Sequence, residues 1–223
     1  MTVKSPPRAA HLRQNFGPGT AACVGWAFAL AILVAAVALG AEGAGRAGIQ
    51  FALRLTARLA FLLFWPCYVA GTLVVLFGPR FMPLKQRARD LGLAFAAVLA
   101  VHLGLVVALC AIGSPPALRV FVIFGPGAVW AALLAIASNN AAGVALGATG
   151  GCVLRNVAMN YLAFDFAVDF VRPQPLNSIA RQIEYLPFAA FALLGPALRA
   201  LAWISPRLMR LDAYRRSPKI DGR

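Results

Sequence analysis

Between Arg13 and Glu42 the chain carries no charged side chain, and comparable uncharged stretches recur down to Ile204. Each is about as long as the roughly 20 residues needed to cross some 30 Å of hydrocarbon at 1.5 Å rise per residue. In a chain of 223 residues that is 61% hydrophobic and only 13% charged, such runs hold more apolar surface than a soluble domain of this size could bury. They constrain the fold to an all-α integral membrane bundle, and the length left over excludes a separate soluble catalytic domain.

Bounding the runs by charged residues, Pro and Gly gives six expected transmembrane helices, near residues 21–40, 59–78, 91–113, 119–138, 153–171 and 185–204. Ser114-Pro115-Pro116 ends the third, because proline cannot continue a helix. Gly125-Pro126-Gly127 is expected to kink the fourth. The Gly/Ala-rich stretch 141–151 reads equally as a loop, a re-entrant segment or the first turns of a long fifth helix. Lys4, Arg8 and Arg13 before an apolar run, with Ala38-Leu39-Gly40 behind it, resemble a signal peptide. The run is too long for a typical signal core, so a retained first span is expected.

The net charge of +14 is distributed between and beyond the spans. With both termini inside, fourteen Lys and Arg fall in inside segments and six in outside segments, with Arg199 left within a span. That bias matches the positive-inside rule and favours six spans, N-in and C-in; a five-span chain would put the basic tail outside. The organisation read from this is a basic inside arm at 1–19, a membrane domain at 20–205 and a basic inside tail at 206–223, in a bacterial inner membrane. The arm and tail suit anionic lipid. Nucleic acid is not indicated, since neither interleaved aromatics nor a binding motif accompanies the charge. Cys23, Cys67, Cys110 and Cys152 show no metal-ligand spacing and read as small buried hydrophobes.

No nucleophile elbow, phosphate loop, dinucleotide fingerprint or zincin motif occurs. The informative residues are polar ones inside spans. His102 lies mid-way along the third, where an imidazole needs an interior partner. Asp165 and Asp169 stand i, i+4 on the fifth, so one carboxyl is expected to be neutral or paired; Arg172 is one candidate counter-charge and Arg155 another. Asn156 and Asn160, also i, i+4, suit hydrogen bonds between helices, and Tyr68, Tyr161, Trp65, Trp130 and Trp203 suit packing or an interfacial belt.

Arg54-Leu55-Thr56-Ala57-Arg58, then Arg87 and Arg89, Leu91-Gly92-Leu93, Phe95 and His102, together resemble the ferric-reductase-like transmembrane domain. That family includes ferric-chelate reductases, NADPH-oxidase cores and the haem-binding membrane subunit of a methionine sulfoxide reductase system. The resemblance implies six helices and b-type haem held between histidine pairs on the third and fifth. It makes His102 the first ligand of the third helix, and it sets Arg155 and the neighbourhood of Val168-Asp169 where the fifth would supply ligands. A histidine partner for His102 is lacking, since the other histidine, His11, precedes the spans.

Two readings of the core follow. Either a polar network of His102, Arg155, Asp165, Asp169 and Arg172 replaces the haem, which the missing ligands favour, or one haem b survives between His102 and Met159, a thioether being an acceptable axial ligand. The corresponding functions are a haem-poor or haem-free subunit dependent on a redox or membrane-protein partner, a minimal b-type cytochrome, and, from the intramembrane acids alone, a small proton-coupled transporter. With no self-contained catalytic machinery, the chain is an oxidoreductase subunit at most.

Overall fold

The computed structural model describes residues 18–138, 140–171 and 179–216, with side chains described over 19–138, 144–171 and 184–205. Six long helices follow one another: α1 Pro18–Glu42, α2 Arg46–Phe77, α3 Met82–Ala111, α4 Leu118–Ala137, α5 Asn140–Val171 and α6 Ile179–Arg216. A single 3-10 turn at Pro79–Phe81 joins α2 to α3, and no strand occurs among the described residues. Five helices, all but α5, are long and apolar enough to cross a membrane. Arg155, Asp165 and Asp169 lower the hydropathy of α5.

Helix α2 is the hub, packing against α1, α3 and α6, while α5 joins α4 to α6. Side-chain bonds tie the basic end of the bundle together. The Thr20 hydroxyl donates to Asp90 Oδ1 at 2.7 Å, linking the starts of α1 and α3. Arg89 donates to the carbonyl of Ser138 at 2.8 Å, closing the C-terminal end of α4, whose last carbonyls have no helical donor.

Packing of α1 follows from small residues. Ala27, Ala31, Ala35 and Ala38 repeat at helical spacing and are buried against its neighbours, whereas Trp26, Leu33 and Val37 on other faces are exposed. Without a hydrophobic force between helices in lipid, close backbone approach is what van der Waals packing rewards. At the centre the contacts are aromatic. Phe61 lies 5.1 Å from Phe166 and 5.0 Å from Phe170, and Phe64 lies 5.5 Å from Phe95 and 5.2 Å from Phe166, between ring centroids. One block of rings thereby joins α2, α3 and α5, and Phe188 of α6 adds to it at 5.2 Å from Phe170.

Several expectations change in extent. Helices α2 and α3 start well before the apolar runs at 59 and 91, so Arg46, Arg54 and Arg58, and Lys85, Arg87 and Arg89, stand on helical turns and not in loops. Charged side chains at membrane-helix ends extend toward water while their stems cover apolar surface, so charge need not end the helix. The stretch 141–151 is helical but broken at Gly147, whose φ of 66° and ψ of 174° are tolerated by glycine alone. Helix α4 runs through Pro126 unbroken. The Tyr161 hydroxyl of α5 donates to the Ile123 carbonyl at 2.9 Å, next to the Val122 carbonyl that Pro126 leaves without a helical donor. Helix α6 continues to Arg216, past the expected boundary at 205. The arm 1–17 and residues 217–223 lie outside the described residues.

Filling the small-residue seam should undock α1. Ala31 has no exposed surface, so Ala31→Leu is expected to lower stability by about 1–3 kcal/mol through overpacking. Ala29→Leu on the exposed face should be neutral; unfolding midpoints of the two variants in the same detergent check the difference.

Candidate functional site

The aromatic block divides the interior. Phe95 and Leu162 line a cavity on either side of it, one of about 310 Å³ and one of about 890 Å³. The smaller holds the expected polar core in part: His102 from α3, Asp165 and Asp169 from α5, Arg54 from α2 and Tyr185 from α6. The larger opens at the basic end and holds Arg155 and Met159.

His102 is positioned by a residue of the neighbouring helix. Its Nδ1 lies 3.0 Å from the hydroxyl oxygen of Thr56, which is fully buried and also 2.9 Å from the Ala52 carbonyl and 3.2 Å from that of Leu53. A hydroxyl has one proton and two lone pairs, and a helical Thr commonly gives that proton to the carbonyl four residues back. Assigning it so makes Nδ1–H the donor to Thr56 and leaves Nε2 with its lone pair. In the neutral form of this tautomer one acceptor nitrogen remains.

Asp165 is the most constrained polar side chain in the cavity. It is only 6% exposed, and its Oδ1 is buried with no hydrogen-bond partner among the described residues. The carboxylate lies flat against α4 at Gly127, where a Cβ would collide with it. Asp169 is one turn further along α5 and faces the same cavity. A buried carboxyl group with an unpaired oxygen invites a proton, a water or a cation, because unmatched polar atoms in a low-dielectric interior are expensive. Among the described residues no group of three or more His, Cys, Asp or Glu is arranged to hold a metal ion.

His102, Asp165 and Asp169 therefore share one cavity, and Arg155 does not line it. Arg155 lies beyond the aromatic block in the larger cavity, because it precedes Leu162 by two turns on α5 while Asp165 and Asp169 follow it. Arg172 lies outside the described residues. Met159 and His102 also part company. His102 is seven residues beyond Phe95 on α3, about 10 Å of rise, and Met159 is seven residues before Phe166 on the parallel α5. Two axial ligands must meet one iron from opposite faces. His102 and Met159 line different cavities, so they do not fit that role together.

Thr56 as the partner of His102 was hidden in the sequence inside an arginine-flanked stretch, where only the i, i+4 relation to Ala52 hints at a helix-bonded hydroxyl. The two asparagines do bond between helices. Asn160 accepts from the Tyr68 hydroxyl at 3.0 Å, and Asn156 accepts from Arg199 at 3.0 Å.

The contact of Asp165 with Gly127 gives a direct check. Gly127→Ala should destabilise the fold by about 1–3 kcal/mol, and Asp165→Ala in the same chain should relieve most of that loss. A double-mutant cycle of unfolding midpoints in detergent reads the coupling, and strict additivity would mean that the two groups do not meet. No family model, curated protein or solved structure matches this chain.

Proposed function

We propose that this chain is a haem-free, partner-dependent membrane subunit on a six-span, ferric-reductase-like scaffold, with both termini on the cytoplasmic side of a bacterial inner membrane. The observation that carries the reading is the separation of His102 from Met159 by the block containing Phe95 and Leu162. In support of the topology, the N-terminal starts of α1 and α3 and the C-terminal end of α4 share the end rich in Lys and Arg. The detergent-purified chain, expressed with ample haem, should show no b-type band in its reduced-minus-oxidised spectrum. A stoichiometric band that disappears in His102→Ala would establish the cytochrome reading instead.

A second reading rests on a separate observation, the unpartnered Oδ1 of Asp165 in a cavity shared with His102 and Asp169. Such a cluster can take up and release a proton, the carboxyl as acid and the Nε2 lone pair as base, and intramembrane acids often serve this role. In this reading Asp165→Asn abolishes proton movement into liposomes containing the protein while leaving the fold intact, because the amide keeps the shape and loses the acid. Flux equal to that of the unaltered chain would remove the cluster from any proton path.

A further inference from the structure

The larger cavity has a composition that the proposed function does not use. Lys85 and Arg89 from α3, Arg155 from α5 and Arg199 from α6 all line it, and no Asp or Glu is among the described residues of its lining. Arg199 lies inside an apolar span, and the contacts that hold it are neutral: the Asn156 side-chain oxygen at 3.0 Å and the face of the Tyr68 ring at 4.7 Å. Arg89 is engaged with the Ser138 carbonyl. Arg155 and Arg199 come to this space from two helices, and neither has an acidic partner among the described residues. Like charges brought together in a partly apolar setting repel, and an anion in their midst is the simplest relief.

The walls narrow the kind of anion. Val75 of α2, Val144 of α5 and Trp203 of α6 line the same space and are 59%, 64% and 64% exposed. A small soluble anion gains nothing from such surface, whereas an amphiphile covers it with its chains while its head meets the arginines. Tryptophan at that level is typical of the headgroup boundary. Guanidinium forks match the oxygens of a phosphate, and a cavity of about 890 Å³ open at the basic end admits a headgroup from the adjoining leaflet. We infer that this crevice is a binding site for one anionic phospholipid, whose phosphate lies between Arg155 and Arg199 and whose acyl chains run along Val144 and Trp203. The site is distinct from the basic terminal segments, which attract anionic membrane surface without a cavity.

The test uses the full chain in detergent, delipidated and titrated with phosphatidylglycerol, with phosphatidylcholine of the same chains and inorganic phosphate as parallel arms. Retained lipid is counted by native mass spectrometry and stabilisation is followed by thermal unfolding. One phosphatidylglycerol per chain should be held in preference to phosphatidylcholine, and R155Q/R199Q should weaken it by about tenfold or more. R155K/R199K should keep most of the preference, and R215Q/R216Q in the C-terminal segment should bind as the unaltered chain does. Because Arg199 contributes to helix packing, R155Q alone, at an exposed position, should already show a partial loss in a fully folded protein. Equal retention of the two lipids would overturn the inference. So would wild-type binding by R155Q/R199Q, loss of binding in the C-terminal variant, or displacement of the lipid by millimolar inorganic phosphate, which would mark a site for a soluble anion.

Discussion

The stacking of Phe61 and Phe64 of α2 against Phe95, Phe166 and Phe170 is the contact on which the remaining architecture hangs. In a bilayer, lipid tails are as apolar as leucine, so helices are not driven together by hydrophobicity and have to find shape complementarity or polar bonds. Aromatic rings supply large, rigid contact area with a preferred tilted geometry. Here they come from three helices and meet at one level. The polar bonds then sit above and below that level, Thr56 with His102 on one side and Tyr68 with Asn160 on the other.

How much of this was legible beforehand depends on what kind of signal each feature leaves. Five of the expected spans are helices apolar enough to cross a membrane, because an uncharged run of that length has few other uses. Helix starts were less legible: Arg46, Arg54, Lys85 and Arg89 interrupt the hydropathy pattern but not the hydrogen-bond ladder, so α2 and α3 are longer than their apolar runs. Asp165, Asp169 and His102 line one cavity, which their positions within spans suggest and do not fix. Which arginine joins them is not legible there, since one or two turns along α5 decide on which side of the aromatic block a side chain ends. The grouping of Arg155 with Arg199 and Lys85 was invisible for the same reason: it joins three helices through contacts that leave no local pattern.

The resemblance to ferric-reductase-like domains rests on residues that the structure puts to structural use. Thr56 orients His102, Arg89 caps α4, and Phe95 belongs to the central block. Each of these roles suits a six-helix bundle whether or not a cofactor is held within it. The positions that the resemblance would fill with ligands on the fifth helix carry Arg155 and Asp169, which lie in different cavities and bear opposite charge types.

Two cavities with Phe95 and Leu162 in the wall of each also have an electrical meaning. Where water enters cavities on the two sides of such a wall, a transmembrane voltage does not decline evenly across the bilayer but falls mainly over the thin apolar septum between them. A unit charge carried through the full field is worth roughly 2.3 kcal/mol per 100 mV. Phe95 and Leu162, the residues common to both cavities, mark the place where that gradient would be steepest.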